Sequence, residues 1–267
     1  MEERYGSIEI KFLSWVQNRG ITVVRTGDLV VSLRLTQQQE ARLFAHLSKK
    51  RVIAKLMRGL YLVPRTLPPG GVFCPSEYLV VDTLMKAVKT EDYQISGLTV
   101  FNSYGLHTQI SNQIDVYNDK LSGIKKIAGQ TYRFIKVGAD RLGFTQGYKV
   151  KEREGELVVK FSSLPRAIFD AIYDCEKYGT LSTALVWLKE RANEKKFMDE
   201  FLKIVLKLGN IAVLKRVGYV LDEAQCSSTY LAKIMKSISS KRSFVPLDPT
   251  KKARGKTNAK WRIILNV

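Results

Sequence analysis

The sequence contains few of the residues that build disulfide frameworks, zinc sites or histidine-based catalytic sites. Three cysteines occur in 267 residues, Cys74, Cys175 and Cys226, and they lie far apart with no Cys-x-x-Cys pair. An odd, scattered set argues against a disulfide framework and against a cysteine-based zinc site. The two histidines are His46 and His107. We expect the first to be a surface or phosphate-contacting side chain and the second to cap or pack.

Long apolar runs and nucleotide-binding motifs are absent as well. No stretch of 18 or more predominantly apolar residues occurs, so a membrane span is not expected. Residues 1–4 lack the basic and apolar regions of a signal peptide. The sequence has neither a Walker-type loop nor a G-x-G-x-x-G motif after a strand. We therefore expect a reduced, cytoplasmic protein that makes no membrane contact and uses no metal or cofactor.

Acidic residues are scarce relative to basic ones. The chain has 25 Asp and Glu against 44 Lys and Arg, which gives a formal net charge of +19. Apolar residues make up 45% of the sequence, enough for packed cores, and the length favours two modules over one. A compact chain repels itself at this charge, so an anionic partner is expected. Nucleic acid is the leading candidate, ahead of an anionic membrane face.

Three short helices are predicted in the first fifth of the chain. Apolar residues at helical spacing predict a first helix over 5–19, and Gly20 is placed to end it. Thr26 is expected to cap a second helix, with Asp28 in its first turn. Thr36 is followed three residues later by a glutamine, which is a capping box and predicts the start of a third helix.

The third helix is two-faced, and a basic hairpin follows it. Its polar face comprises Gln38, Arg42, His46 and Lys49. Residues 49–65, "KKRVIAKLMRGLYLVPR", contain six cations and no acid, with Arg58-Gly59 as the expected turn. This order of helices and hairpin is that of a winged helix-turn-helix, in which the third helix enters the major groove of DNA.

The segment 25–65 carries nine Lys or Arg residues against two acids. A plain solvated face usually mixes charges of both signs, so we predict a DNA-binding surface here. The predicted DNA-binding residues are Arg25, Thr26, Gln37, Gln38, Arg42, His46, Lys49, Arg51, Lys55 and Arg58. Gln37, Gln38 and Arg42 are expected to reach base edges, and the remaining cations are expected mainly to contact phosphates.

Residues 66–75, "TLPPGGVFCP", read as a linker, so we predict a winged helix-turn-helix domain at 1–66 and a second domain at 76–267. The second domain is expected to be mixed α/β over 76–163, mainly helical over 164–240, and to end in a basic strand region at 241–267. The fold class is thus predicted to be α+β. The predicted helices and strands of the mixed part are helices at 76–89 and 93–107 and strands at "NQIDVYND", "QTYRFIKV" and "ELVVKFS", with a loop at 122–129.

The last 27 residues hold a second group of cations. Eight Lys or Arg residues face one acid, Asp248, over 241–262. A possible second basic surface comprises Lys241, Arg242, Lys251, Lys252, Arg254 and Lys256. A nucleic-acid surface, a contact to an acidic partner and a flexible loop all remain open as explanations.

Asp115 and Asp119 are the pair of carboxylates that could suggest a divalent metal. Ordinary turn chemistry explains the Asn118-Asp119 pair, so no metal site is predicted. The alternative function is a metal-dependent nucleic-acid-processing enzyme with a winged-helix substrate-binding module, in which these two aspartates would hold Mg²⁺.

Several phrases together resemble the AbiEi-type antitoxins of type IV toxin–antitoxin systems, which act in abortive infection and phage resistance. They are "RTGDL", "RGLYLVP", "SGLTVFNSYGLHTQISNQIDVYND", "VKFSSLPRAIFDAI", "LKRVGYVLDEA" and "KWRIILN". The resemblance covers nearly the whole chain. One departure is "SLRLT", which stands where a glycine is expected in the helix-turn-helix turn.

The resemblance implies an N-terminal winged helix-turn-helix and a C-terminal antitoxin domain. It implies a repressor that binds inverted repeats in its own promoter. Separately, we expect a non-enzymatic protein that is a monomer or a weak dimer and that can bind DNA cooperatively. The resemblance also implies neutralisation of a nucleotidyltransferase-like toxin without a stable complex. A third hypothesis is an adaptor that binds its toxin directly through the helical C-terminal region.

Overall fold

The computed structural model describes residues 6–109, 111–152 and 155–266. The chain divides into two compact units. Unit 1 comprises Met1–Glu91, Gly123–Arg133 and Lys149–Val159, and unit 2 comprises Asp92–Ser122, Phe134–Tyr148 and Lys160–Val267. Helices and strands both recur along the described residues, so the predicted mixture of α and β structure is confirmed. The predicted domain boundary at 66–76 stays a prediction.

The elements follow one another in three groups along the chain. The first group is α1 (Ser7–Arg19), β1 (Val23–Arg25), α2 (Asp28–Ser32), α3 (Gln37–Lys49), β2 (Ala54–Met57), β3 (Leu60–Leu62) and α4 (Glu77–Ala87). The second is β4 (Tyr93–Ser96), α5 (Leu98–Ser103), β5 (Gln113–Asn118), β6 (Gly123–Ile127), β7 (Gln130–Lys136), β8 (Thr145–Glu152) and β9 (Gly155–Ser162). The third is α6 (Leu164–Tyr173), α7 (Cys175–Tyr178), α8 (Leu181–Glu190), α9 (Lys195–Leu208), α10 (Ile211–Glu223), α11 (Ser228–Ile238), β10 (Val245–Pro246), β11 (Lys256–Asn258) and β12 (Ile263–Leu265).

The first helices of unit 1 begin and end largely where the sequence predicts. Gly20 ends α1 with a left-handed φ of 61°. The capping box of α3 is present, with Thr36 as the cap. The predicted cap of α2 is wrong, because the residue before that helix is Gly27, with φ 101°, and Thr26 lies outside it. The side chain of Glu40, from α3, caps this helix instead.

A small antiparallel sheet with the order β1-β3-β2 packs on these helices. Strand β1 was not predicted from the sequence. Phe44 of α3 is buried at the centre of the core, stacked on Tyr61 with the ring centroids 4.4 Å apart. Phe12 and Phe44 form an edge-to-face pair with their ring centroids 6.2 Å apart. These aromatic contacts fix α1, α3 and β3 to one another.

A second sheet has the strand order β6-β7-β5-β4-β9-β8. Two predictions fail here. Residues 93–96 form the strand β4 rather than the start of a helix, and only Leu98–Ser103 are helical. The predicted loop at 122–129 contains the strand β6. Strand β8 was not predicted, whereas β5, β7 and β9 confirm the three strands expected from the sequence.

The helices α6 to α11 confirm the prediction that 164–240 is mainly helical. Apolar side chains recur at helical spacing and are buried on α8, with Leu181, Ala184 and Leu188, and on α9, with Phe197, Phe201 and Val205. The closing strand is β12, and it is preceded by the fully buried Trp261. The indole Nε1 of Trp261 donates a hydrogen bond to Asp222 of α10 at 2.8 Å. Gly218 lies beneath the same ring, because a Cβ there would lie 2.1 Å from it.

Unit 2 also buries a charged pair. Arg166 and Asp170 of α6 are both fully buried, with the guanidinium Nε 2.8 Å from a carboxylate oxygen. The other carboxylate oxygen accepts hydrogen bonds from Ser96 Oγ at 2.9 Å and Gln94 Nε2 at 3.1 Å. Burial raises the pKa of Asp170, and Arg166 opposes that rise. Among the described residues no helix is both long and apolar enough to cross a membrane.

Candidate nucleic-acid interface

The exposed face of α3 is the centre of the candidate interface. Thr36 Oγ1 accepts a hydrogen bond from the Gln39 backbone N–H at 3.2 Å, and Gln39 Oε1 accepts one from the Thr36 N–H at 2.9 Å. These reciprocal bonds fix the first turn of the helix. Gln37 and Gln38 follow the cap and are exposed. Their amide groups are therefore free to reach a partner from a well-defined helix start.

Every predicted DNA-binding side chain is exposed, and on α3 the buried stripe lies on the opposite face. The exposed residues are Arg25, Thr26, Gln37, Gln38, Arg42, His46, Lys49, Arg51, Lys55 and Arg58. The buried stripe is Glu40, Leu43, Phe44 and Leu47. Because the helix repeats every 3.6 residues, Gln38, Arg42 and Lys49 project together away from the core.

Glu40 holds α2 against α3. This carboxylate is 1% exposed, and it accepts hydrogen bonds from the backbone N–H groups of Gly27 at 2.8 Å and Leu29 at 2.9 Å. It thus caps the N-terminus of α2 from a distance of eleven to thirteen residues along the chain. In the turn between the two helices, Arg34 adopts a left-handed φ of 55°, the conformation a glycine would otherwise supply.

The turn of the β2–β3 hairpin lies beside the end of β1. Gly59 has φ 73°, so Arg58-Gly59 is the turn as predicted. Its carbonyl accepts a hydrogen bond from the Thr26 N–H at 3.0 Å. A Cβ at Gly59 would lie 3.3 Å from Thr26 Oγ1, which leaves little room for any other residue. Arg25 pairs with Leu60 across the sheet, so Arg25, Thr26 and Arg58 are neighbours.

Arg51 and Lys55 follow α3 at its C-terminal end. Arg51 has a left-handed φ of 56°, and its carbonyl accepts a hydrogen bond from the Phe73 N–H at 2.8 Å. Lys55 is the exposed residue of β2, between two buried neighbours, Ala54 and Leu56. The strand therefore buries its apolar side chains and leaves the ammonium group in solvent.

His46 is partly engaged within the protein. Its Nε2 lies 2.9 Å from Glu9 Oε1 of α1, and the imidazole side chain is 50% exposed. The other oxygen of Glu9 accepts a hydrogen bond from the Gly6 N–H at 2.8 Å. Glu9 thus orients the imidazole, and the exposed half of the ring remains accessible to a phosphate.

Sequence reasoning missed Glu9 and Glu40, the two carboxylates that position this interface. A signal for Glu40 was present, because it is one of only two acids in 25–65 and falls within the first turn and a half of α3. An acid kept in such a basic segment indicates a specific partner. The partners, however, are backbone groups of Gly27 and Leu29, which sequence patterns do not mark.

The other candidate residues lie in local turns and strands. Asp115 is 3% exposed and accepts a hydrogen bond from Gln113 Nε2 at 2.9 Å. Asp119 Oδ2 lies 3.2 Å from Lys120 Nζ. His107 Nδ1 accepts the backbone N–H of Gln109 at 3.1 Å. Within 6–109, 111–152 and 155–266, no group of three or more His, Cys, Asp or Glu residues is placed to hold a metal ion.

The possible second basic surface belongs to unit 2. Its six cations, Lys241, Arg242, Lys251, Lys252, Arg254 and Lys256, are all exposed. The loop that carries three of them, Lys251, Lys252 and Arg254, is held by the buried Asn266, whose Nδ2 donates to the carbonyls of Asp248, Lys251 and Lys252. The Asn266 side-chain oxygen accepts the Asp248 N–H at 2.9 Å. The loop therefore has a defined path that directs its cations outward.

Comparison with known proteins identifies the fold of this chain but no family. No protein-family model matches the chain, and no curated protein matches it in sequence. The crystal structure of the RV2827C protein from Mycobacterium tuberculosis is similar to this chain, with a TM-score of 0.60. The match covers 98% of this chain and 92% of that one at 11% sequence identity. The two chains share a fold, and the likeness carries no statement about function.

Proposed function

We propose that this chain is a DNA-binding autorepressor and an antitoxin of the AbiEi type. In this proposal α1, α2, α3 and the β1-β3-β2 sheet form a winged helix-turn-helix, with α3 as the recognition helix and the β2–β3 hairpin as the wing. The observation that carries the proposal is the exposed basic and amide face of α3, held in place by the buried Glu40 and flanked by exposed cations on the hairpin.

The start of α3 is assigned to base recognition. Gln37 and Gln38 are exposed in the first turn, where a recognition helix contacts base edges, and Arg42 lies one turn further on. A glutamine amide can form two hydrogen bonds with adenine, and a guanidinium can form two with guanine. Each good bidentate pair is worth about 1–3 kcal/mol of discrimination against a wrong base.

The surrounding cations are assigned to the phosphate backbone. They are Arg25, Lys49, Arg51, Lys55 and Arg58. Contacts of this kind give affinity and orientation without choosing a sequence. They also release counterions from DNA, so binding is expected to weaken as the salt concentration rises.

A gel-shift titration on the DNA upstream of the gene, including its inverted repeats, tests the repressor assignment. We expect the wild type to shift this DNA and the double variant Arg42→Ala/Arg58→Ala to bind at least about tenfold more weakly, because one base contact and one phosphate contact are lost. The control is Lys203→Ala, which removes an exposed cation from α9 in unit 2. A double variant that binds as tightly as the control would end the proposal.

The antitoxin part of the proposal assigns toxin neutralisation to the predicted C-terminal domain, residues 76–267. The expected target is a nucleotidyltransferase-like toxin encoded beside this gene, neutralised without a stable complex. Co-expression with that toxin tests the assignment: growth should be rescued by the wild type and by Arg42→Ala/Arg58→Ala alike. Co-purification of the two proteins at equal stoichiometry would instead favour the adaptor hypothesis.

The aspartates separate this proposal from the enzymatic alternative. We expect Asp115→Asn/Asp119→Asn to neutralise the toxin as well as the wild type does, because Asn keeps the shape of each side chain. Loss of neutralisation in this variant, together with Mg²⁺-dependent processing of nucleic acid by the wild type, would establish the alternative.

A further inference from the structure

Unit 1 contains a half-open cavity that the proposed function does not use. Its volume is about 980 Å³. Its walls are β1, the segment that connects β3 to α4, one side of α4, and the β8 and β9 ends. This size is at the upper end of the range for small-molecule sites, about 300–1,000 Å³.

Much of the cavity wall is apolar and left uncovered by the chain itself. Val23, Phe73, Leu79 and Leu157 line it and are only partly buried. Val72 is 44% exposed at its edge. Exposed apolar side chains gathered in a concave wall favour an apolar occupant, because its binding removes their surface from water.

The carboxylates of the wall already have partners. Asp82 Oδ2 lies 2.7 Å from Lys86 Nζ, and Glu156 Oε1 lies 2.7 Å from Lys149 Nζ. Glu152 accepts a hydrogen bond from the hydroxyl of Ser76, the residue that caps α4. A cationic ligand would have to compete with these internal contacts, which argues against a cationic occupant.

Arg25 is a cation of the wall that is available to bind a ligand. Its side chain is exposed and lines the cavity. Its backbone N–H donates to Asp28 Oδ2 at 2.7 Å, but its guanidinium has no ion pair within the described part of the chain. We propose that the cavity binds a small amphipathic anion, with the apolar body against the wall and the anionic group on Arg25.

Arg25 is also one of the phosphate-binding cations of the proposed function. An anion seated on it would compete with DNA for the same guanidinium, so the occupant is expected to weaken operator binding. This coupling rests on the proposed function, whereas binding of the anion in the cavity does not.

The binding test uses the full chain and two anions of the stated chemistry, 8-anilino-1-naphthalenesulfonate as a fluorescent probe and octanoate as its competitor. We expect saturable binding of one probe per chain, displaced by octanoate. Leu79→Trp, which fills the cavity, should abolish it, and Arg25→Gln should weaken probe binding about fivefold, because one ion pair is lost. Val186→Ser changes an exposed valine of α8 and should have no effect.

Thermal unfolding of Leu79→Trp tests whether this variant folds. Arg25→Gln changes an exposed side chain and should leave the core intact. Cys74 adds a second measurement, because it lines the cavity and is exposed while Cys175 and Cys226 are buried. Saturating octanoate should slow modification of Cys74 by a thiol reagent at least about threefold, since the occupant covers that wall. Probe binding that neither variant changes, or a modification rate that octanoate leaves unchanged, would overturn the proposed site.

A gel-shift titration with and without octanoate tests the coupling separately. Octanoate should raise the apparent Kd for operator DNA in the wild type and not in Leu79→Trp. If the variants bind the probe as expected but the chain binds no DNA, the cavity proposal stands and the proposed function fails. If DNA is bound and octanoate leaves its Kd unchanged, the coupling fails.

Discussion

The arginines of the candidate interface in unit 1 and the buried Arg166 of unit 2 lie in opposite environments. Arg42 and Arg58 of unit 1 are exposed, on α3 and at the hairpin turn. Arg166 of unit 2 is fully buried, and it is paired with Asp170 and hydrogen-bonded to the Arg141 carbonyl at 2.9 Å. A buried, fully bonded arginine is part of the fold, whereas an exposed one adds little to stability and costs self-repulsion. In the proposed function, an anionic partner offsets the self-repulsion of the exposed cations of the candidate interface.

A second group in unit 2 follows the same rule of internal pairing. Asp174 accepts hydrogen bonds from Tyr117 Oη at 2.9 Å and from Arg141 Nη2 at 2.6 Å. The Arg141 guanidinium also lies over the ring of Tyr173, 4.0 Å from its centroid. Burial is the main cause that raises the pKa of Tyr117 well above its ordinary value. In unit 2 these polar side chains hold elements together.

The largest expected effect is on the buried pair of unit 2. Arg166→Met leaves the Asp170 carboxylate buried without its partner, so the free energy of unfolding should fall by about 3–5 kcal/mol. This fall is measured by urea unfolding, monitored by circular dichroism. The double variant Arg166→Met/Asp170→Leu should recover much of the loss, since both charges are gone. A loss below about 1 kcal/mol in the single variant would contradict the reading of this pair as structural.

A smaller effect is expected at Glu40. Glu40→Ala leaves the N–H groups of Gly27 and Leu29 without their acceptor, and the free energy of unfolding should fall by about 2–3 kcal/mol. The matched control is Glu190→Ala, because that side chain is 61% exposed. Equal losses in the two variants would show that Glu40 does not hold α2.

Asp222 should make stability depend on pH. Burial alone would raise the pKa of this carboxyl, but hydrogen bonds from Lys260 and Trp261 outweigh it and hold the pKa below its ordinary value. A lowered pKa stabilises the folded state above about pH 4 and ceases to do so as the pH falls through the folded-state pKa. Measured by urea unfolding, the free energy of unfolding should fall less between pH 6 and pH 3 in Asp222→Asn than in the wild type. If the free energy of unfolding depends on pH equally in the two proteins, Asp222 does not cause the pH dependence.

The smallest expected effect on stability is at Arg42, where the comparison between the units is sharpest. Arg42→Ala should change the free energy of unfolding by less than about 0.5 kcal/mol, because the side chain is exposed. It should weaken operator binding by about 1–3 kcal/mol, roughly 5- to 150-fold. Thermal unfolding and gel shifts on the same preparation measure both. A variant that unfolds easily but binds DNA normally would reverse the assignment of Arg42.

Local signals in the sequence predicted much of the fold. The capping box at Thr36 and the turn at Arg58-Gly59 lie where they were expected, because both depend on residues close together in the chain. Helices with a regular apolar stripe, such as α8 and α9, were also found. Residues 93–96 were misread as helical because all four are buried, and a short strand buried on both faces has no alternating pattern.

Long-range contacts could not be predicted in this way. The cap of α2 comes from Glu40, and the partners of Asp170 include Gln94 and Ser96, more than seventy residues away. For the candidate interface, the sequence predicted which side chains are exposed. It did not predict strand β1, which places Arg25 and Thr26 beside the hairpin turn. Unlike β3, this three-residue strand has no adjacent hairpin turn to mark it, and alone it carries too little pattern to be recognised.

The salt dependence of operator binding is the sharpest test of whether the exposed cations of unit 1 contact DNA phosphates. If the exposed cations of α3 and the hairpin contact about six phosphates, a plot of log K against log salt concentration should have a slope near −5. Arg58→Ala should reduce the magnitude of that slope by about 1, and Lys203→Ala should leave it unchanged. Operator binding that does not weaken with salt, or a slope that Arg58→Ala leaves at its wild-type value, would contradict the account.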